Sequence, residues 1–248
     1  MNMLTITSLT IRQFARSKSI FVLIGICLLS AVFALIPRLV PDEPSLRDLR
    51  MVFGQSIYLD FFAATLLPLA TLVLATAALG DEIEDRTLQY LALKPIGRFR
   101  IVLQKFLAIL IVAVPIVWAG IALTWAIASF GYYDGMRDLL LPALLSSLVA
   151  ILGFGALFLF LSLVIQRALI VGVFYVFIWE SALTRYLPGI RAISIRHYTQ
   201  SLFVRLVDDR RFTIAQVSAQ STVIITIFAI VAIGLALATW RLRRMSLE

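Results

Sequence analysis

Long apolar runs divide this sequence and restrict its fold more than any other feature. Six runs can be drawn, over residues 20–36, 61–79, 101–130, 139–165, 168–187 and 223–240. About 20 apolar residues in a helix cross the roughly 30 Å hydrocarbon core of a bilayer. Strands with open edges cannot cross, because their backbone polar groups find no partners in lipid. The sequence therefore predicts an all-α membrane protein with six transmembrane helices in a single domain.

The composition agrees with a bilayer environment. Of 248 residues, 61% are hydrophobic and 15% are charged, whereas soluble domains average about 45–50% apolar and about 25% charged residues. The net charge is +8, and the basic residues lie mostly at the ends of apolar runs, where lipid headgroups attract them. We therefore expect these basic residues to contact the lipid bilayer, and we expect no binding to nucleic acid. A single cysteine, Cys27, excludes an intramolecular disulfide and a cysteine metal cluster.

The orientation is predicted from the basic residues that flank the runs. Six spans place both termini on one side, which carries 12 lysines and arginines against 10 on the other. Basic residues lie close to the spans at both chain ends, so we expect both termini in the cytoplasm. The run 20–36 follows basic residues, as in a secretory signal, but its length and the later runs favour an uncleaved first span. A multi-pass protein of a prokaryotic plasma membrane is expected.

Two segments outside the spans have predicted structure of their own. Residues 1–19 place Phe14 near one helical face and Arg12 and Arg16 on another. This pattern suits an amphipathic interfacial helix, and a frayed cytoplasmic tail is the alternative. Residues 188–220 form a long extracellular connection with apolar pieces, for which we expect a short re-entrant or surface helix.

Ionisable residues are rare inside the predicted spans, although such residues mark catalytic and ion pathways in membranes. Asp60, Lys105 and Glu180 all fall near the ends of runs, and Lys105 is expected at the interface. Two interpretations of Glu180 stay open: it is the extracellular end of its span, which we favour, or a buried acid lining a pathway. The lone histidine, His197, has no evident catalytic partners. No phosphate-binding loop motif occurs, so the chain is not expected to hydrolyse nucleotide by that route.

Residues 81–98, between the second and third runs, are unusually charged. The first turn of a helix here would hold four acids, Asp81, Glu82, Glu84 and Asp85. The positive end of the helix dipole favours acids at that position. Leu88 and Leu91 supply an apolar side, and Pro95 ends the helix. Residue chemistry alone leaves two readings, a helix that docks into another protein and a capped surface helix on lipid.

The segment resembles the motif that links spans two and three in ABC-2 type transporter permeases. The pattern is close to E-x-E-x-G-T-L, then P-x-S-R, then a lysine. The matching positions are Glu82, Glu84, Thr87, Leu88, Pro95, Arg98 and Lys105. Arg86 stands where glycine is usual and Gly97 where serine is usual, without a change in spacing. The six spans, the interfacial helix and the long last loop extend the resemblance.

The resemblance implies the membrane subunit of an ABC exporter. Such a permease dimerises with an identical or paralogous subunit and pairs with two ABC ATPase subunits, which hold ATP and Mg²⁺. No cofactor, metal or catalytic residue is then expected on this chain. Coupling to the ATPase is implied for residues 81–98, through Glu82, Glu84, Thr87, Leu88, Leu91, Pro95 and Arg98. A hydrophobic or amphipathic substrate is expected from the apolar spans. The alternatives are a non-transporting membrane scaffold and, less favoured, a membrane enzyme.

Overall fold

Helices account for every regular element in the described part of the chain, which confirms the all-α fold. The computed structural model describes residues 5–38, 45–80, 97–183, 191, 193–209, 211–214 and 216–244. In chain order the helices are α1 Thr5–Arg16, α2 Lys18–Leu35, α3 Leu46–Leu79, α4 Arg98–Ala128, α5 Tyr133–Val164, α6 Ala168–Glu180, α7 Ile195–Val207 and α8 Gln220–Arg244. Part of α3, Val52–Leu66, has π-helical geometry, and α6 continues in that geometry over Tyr175–Leu183.

Five of the described helices are long and apolar enough to cross a membrane, namely α2, α3, α4, α5 and α8. The chain is therefore a multi-pass membrane protein. The fifth predicted span corresponds to α6, whose apolar stretch is shorter than those five helices. Only residues 166–167 had been expected between the fourth and fifth spans, and α5 and α6 are indeed separated by a very short connection.

Helix α3 begins at Leu46, well before the apolar run at residue 61 that marks the second predicted span. Ser45 starts it with a capping box, because its Oγ accepts from Asp48 N–H at 3.2 Å while its own N–H donates to the Asp48 carboxylate at 3.3 Å. The first half of α3 then buries Phe53 and Tyr58 in the protein. Tertiary packing thus supports a stretch that is too polar to be recognised as a span.

Helix α5 lies at the centre of the bundle and packs against α3, α4, α7 and α8. Two glycines allow close approach at these crossings. A Cβ on Gly153 would lie 2.9 Å from Ile195 of α7, and a Cβ on Gly234 of α8 would lie 3.2 Å from the carbonyl oxygen of Ala156. Small residues let helix backbones approach closely where lipid supplies no hydrophobic force between helices.

Buried hydroxyls form polar ties between the helices. The Tyr58 hydroxyl donates to the Ala143 carbonyl at 2.8 Å and lies 2.6 Å from Ser146 Oγ, so it joins α3 to α5. Ser30 Oγ and Thr124 Oγ1 lie 2.8 Å apart and join α2 to α4. Hydrogen bonds between membrane helices contribute about 0.6 kcal/mol each on average, so such ties fix register more than they add stability.

Helix α7 lies within the connection for which a short helix was expected. Ser194 caps its start by accepting from His197 N–H at 3.1 Å, and it ends at Asp208, whose φ of 51° is left-handed. Ile195 and Phe203 are buried, and the helix packs on α5 and α8. Helix α7 is therefore part of the protein core.

Candidate functional site

Most residues of the predicted coupling segment lie outside the described part of the chain, namely Glu82, Glu84, Thr87, Leu88, Leu91 and Pro95. Arg98 is described and is the first residue of α4, directly after the N-cap Gly97. Its Nη1 atom is buried and has no hydrogen-bond partner among the described residues. Arg100, in the same helical turn, is exposed. The two arginines therefore differ in environment although they are only two positions apart.

The N-terminal helix α1 has the two-sided character expected from its sequence. Phe14 is completely buried, whereas Arg12 and Arg16 are exposed. Its buried side packs mainly on the start of α4. The apolar residues Ile6 and Phe14 are thus covered by the bundle, and the arginines remain on the outer side.

Hydrogen bonds join α1 to both helices that flank the predicted coupling segment. Gln13 Nε2 donates to the carbonyl of Ala77, near the end of α3, at 3.4 Å. Ile6 N–H donates to Gln104 Oε1 at 3.1 Å, and Thr7 Oγ1 donates to the Gln104 carbonyl at 3.2 Å, near the start of α4. Helix α1 therefore holds together the two points at which the chain enters and leaves that segment.

Lys105 was expected at the membrane interface, and its depth in the membrane stays a prediction. Its side chain is 1% exposed and lies in the protein interior. The cause is the packing of α1 and α5 on the first turns of α4, which covers this part of the helix. Position along an apolar run indicates depth in a membrane, but it does not indicate which helix face a neighbour covers.

Glu180 is fully buried at the end of the apolar stretch of α6. Its Oε2 accepts from Ser194 Oγ at 2.5 Å, and its Oε1 accepts from Ile195 N–H at 3.2 Å and from the Tyr175 hydroxyl at 3.0 Å. Arg196 Nη1 donates to its backbone carbonyl at 3.3 Å. The carboxylate therefore binds the first turn of α7, where the helix dipole favours a negative charge.

This geometry combines parts of the two interpretations of Glu180. The residue ends an apolar stretch, as the favoured interpretation has it, and it is also enclosed by protein. Its side-chain contacts join Tyr175 of the same segment to the start of α7, which gives it a structural role. A role as a pathway acid stays a prediction.

His197 lies on the first turn of the same helix and is half-buried. Its Nε2 lies 2.9 Å from Ser218 Oγ, and its ring contacts Tyr198 edge-on. Burial, and then the positive charge of Arg191, lower the pKa of His197 below its ordinary value. The imidazole is therefore held in the neutral form near pH 7.

An ion-pair cluster at the far end of the bundle from Ala77 and Gln104 was not predicted. Arg50 of α3 donates from Nη1 and Nη2 to the two carboxylate oxygens of Asp138 of α5, both at 2.7 Å. Its Nη2 also lies 3.4 Å from Asp209, after α7, and Nη1 donates to the Gly135 carbonyl. This cluster, Arg50–Asp138–Asp209, joins three segments of the chain.

The missed contacts differ in whether sequence could have revealed them. Ser194 carries a recognisable signal, because serine is a preferred N-cap residue before a helix. Arg50, Asp138 and Asp209 carry none, since the arginine and its bidentate partner are 88 positions apart. Gln104 is likewise an ordinary polar residue in an apolar helix until α1 is placed beside it. Among the described residues, no group of three or more potential metal ligands occurs.

The helices and buried polar contacts define an all-α, multi-pass membrane protein. Residues 12–184 match the family described as ABC-2 family transporter protein. The match covers more than half of the chain, so this protein belongs to the ABC-2 transporter family, and the recognition made from the motif is confirmed. It is a membrane permease of an ABC transporter, and the family implies association with an ABC ATPase. A comparison with curated proteins finds no match.

Proposed function

We propose that the chain forms the translocation pathway as a dimer and couples it to two separate ATPase subunits through residues 81–98. The second permease subunit is an identical copy or a paralogue. ATP and Mg²⁺ bind on the ATPase subunits, and this chain performs no catalysis and holds no cofactor. Coupling then consists of a movement of residues 81–98 that shifts α3 relative to α4, which is a linkage between distant binding sites.

The observation that carries this proposal is the set of hydrogen bonds from α1 to Ala77 and Gln104. A force applied to residues 81–98 is transmitted to α3 and α4 together only if their ends cannot separate freely. Helix α1 supplies that constraint because it contacts both ends. Arg98 supports the proposal as well, since a buried guanidinium nitrogen without a hydrogen bond costs about 1–3 kcal/mol. A partner acceptor from a neighbouring segment or subunit would remove that cost.

We also propose six spans, with α6 as the fifth, and both termini in the cytoplasm of a prokaryotic cell. Phe174 and Ile178 on α6 are 60% and 51% exposed, which suits a helix against lipid or a partner subunit. The π-helical continuation to Leu183 adds length to the apolar stretch. The substrate is a hydrophobic or amphipathic compound that is exported, because the exposed helix faces offer few polar groups.

The test compares Arg98→Ala with Arg100→Ala in a complex with the cognate ABC ATPase in lipid nanodiscs. ATP hydrolysis and complex assembly are measured for both, together with Glu84→Gln. We expect Arg98→Ala and Glu84→Gln to uncouple hydrolysis from the permease while assembly persists. Arg100→Ala is the matched control, because its exposed side chain occupies the same helical turn.

Two results would contradict the proposal. Wild-type hydrolysis and assembly in both Arg98→Ala and Glu84→Gln would remove the coupling role of residues 81–98. Failure of the wild-type chain to assemble with any co-expressed ABC ATPase would favour the scaffold alternative. Cysteine cross-linking between copies, with Cys27 replaced by serine, would test the dimer separately.

A further inference from the structure

A groove opens on the lateral surface of the bundle, where the end of α7 lies beside the first half of α5. Its volume is about 390 Å³, and ligand pockets in proteins usually measure roughly 300–1,000 Å³. Two charged and four apolar residues line it, namely Arg137, Asp138, Leu141, Pro142, Leu145 and Leu206. The five residues from α5 recur with helical spacing and therefore lie on one face of that helix. The groove thus runs along α5 with charge at one end and apolar side chains over the rest.

Aromatic residues place the charged end of the groove near a membrane boundary. Trp125 and Tyr133 lie on either side of the turn between α4 and α5, with ring centroids 5.9 Å apart, and Phe130 in this turn is 68% exposed. Tryptophan and tyrosine concentrate at the two membrane–water interfaces. At about 1.5 Å per residue, Arg137 lies about 6 Å along α5 from Tyr133, and Leu145 lies about 18 Å from it. The charged end is therefore at the level of lipid headgroups, and the apolar part is at the level of acyl chains.

Arg137 is available to bind an anionic group at the charged end of the groove. Among the described residues it pairs with Asp134 at 3.9 Å, and both side chains are largely exposed. Water screens an exposed pair at this distance, so the pair holds the guanidinium only weakly. A guanidinium presents its N–H donors in a plane that matches two oxygens of a phosphate. Arg137 can therefore bind a phosphate without the loss of a packed contact.

Asp138 supplies a negative charge next to this cation. Arg50 donates to both of its carboxylate oxygens at 2.7 Å, which fixes the carboxylate in position. Each oxygen can accept a further hydrogen bond, and the side chain is 48% exposed. Arg50 is also shared with Asp209 at 3.4 Å, so one guanidinium serves two carboxylates. The charged end of the groove therefore offers a fixed carboxylate as well as a guanidinium.

We propose that this groove binds one phospholipid molecule whose headgroup carries both a phosphate and a primary ammonium group. The phosphate binds Arg137, and the ammonium group donates to Asp138. One acyl chain lies in the apolar part of the groove, along Leu141, Leu145 and Leu206. A trimethylated ammonium has no N–H to donate to Asp138, and a headgroup with a phosphate alone leaves this carboxylate without a cation. The site is independent of the proposed transport function, because a bound lipid requires neither an ATPase nor a substrate.

The test measures lipid binding to the full chain in detergent by native mass spectrometry. Phosphatidylethanolamine, phosphatidylcholine and phosphatidylglycerol with identical acyl chains are titrated separately. We expect the first phosphatidylethanolamine to bind more tightly than either other lipid. Arg137→Ala should weaken that binding about fivefold, the size of one exposed ion pair, and Arg137→Lys should weaken it less. Leu145→Trp fills the groove from a position that is 39% exposed, and it should remove the tight binding although both charges remain.

Arg47→Ala is the matched control, because Arg47 is an exposed arginine one turn before Arg50 and does not line the groove. This variant should bind phosphatidylethanolamine like the wild type. Equal weakening in Arg47→Ala and Arg137→Ala would show a general surface-charge effect and overturn the assignment. Equal affinity of the wild type for the three lipids would reject recognition of the headgroup, and wild-type binding by Leu145→Trp would reject the groove as the site.

Discussion

Replacing Glu180 with alanine tests whether the buried carboxylate holds α7 against α6. In the folded protein this side chain accepts three hydrogen bonds, from Ser194 Oγ, Ile195 N–H and the Tyr175 hydroxyl. Glu180→Ala removes both acceptor oxygens, and with them these three hydrogen bonds, and leaves the donors in a buried site. Glu180→Gln keeps the shape and one acceptor oxygen, but it removes the charge that favours the start of a helix.

The expected magnitude follows from these contacts. Hydrogen bonds to a charged group contribute about 1.5–3 kcal/mol each, and a buried donor left unsatisfied costs about 1–3 kcal/mol. Removing the carboxylate also removes its own desolvation cost, which offsets part of the loss. We therefore expect Glu180→Ala to lower the local stability of the α7 start by about 3 kcal/mol, and Glu180→Gln by about 1–2 kcal/mol. Tyr175→Phe deletes one donor without stranding another group and should cost about 1 kcal/mol.

Amide hydrogen exchange over α7 measures this effect where it arises. A loss of about 3 kcal/mol raises the population of the open state roughly 150-fold. Exchange should accelerate at residues 195–199 in Glu180→Ala, with smaller increases in Glu180→Gln and Tyr175→Phe. Amide exchange in α2 and α4 should be unchanged, so these two helices serve as an internal control.

The most specific part of this prediction is the order of the three variants in how much they accelerate exchange. Unchanged exchange over residues 195–199 in Glu180→Ala would refute the view that this carboxylate fixes α7. A smaller effect of Glu180→Gln than of Tyr175→Phe would contradict the contribution assigned to the negative charge. Wild-type exchange in Glu180→Ala together with lost transport would instead assign Glu180 to the pathway.

Two further predictions concern the same side of the bundle. Arg50→Ala should lower the free energy of unfolding by about 1–2 kcal/mol, because a bidentate and half-exposed ion pair is lost. Unfolding can be followed by chemical labelling of the single thiol, the buried Cys27, during heating. Arg47→Ala is the control and should have no effect, because Arg47 is exposed. The pKa of His197 is lowered in the folded protein, so the unfolded chain binds the proton more readily and stability should fall as pH drops below about 6.5. His197→Gln should flatten that slope, and an unchanged pH dependence of the melting temperature would contradict the assignment.

The helices of this protein could be predicted from sequence because apolar runs of that length have few other structures open to them. The residues at which the helices start could not be predicted from the sequence. Helix α3 begins at Leu46 because Ser45 caps it and because α5 and α7 contact the stretch Val52–Leu66 that follows, and neither cause alters local hydropathy. The family could be recognised because the spacing from Glu82 to Lys105 is itself a sequence property. The spatial partners of Arg50 and Glu180 depend on other parts of the chain.

The contacts that sequence reasoning missed have a common physical origin. In a bilayer, lipid tails are as apolar as leucine, so burial alone does not decide which helix faces lie together. The faces that pack together are determined by close backbone approach at Gly153 and Gly234, and by hydrogen bonds between helices such as Tyr58–Ala143. Each of these joins positions that are distant in sequence, and each residue type is common in spans for other reasons. Apolar runs therefore indicate that helices exist, whereas a few polar or small residues determine their arrangement.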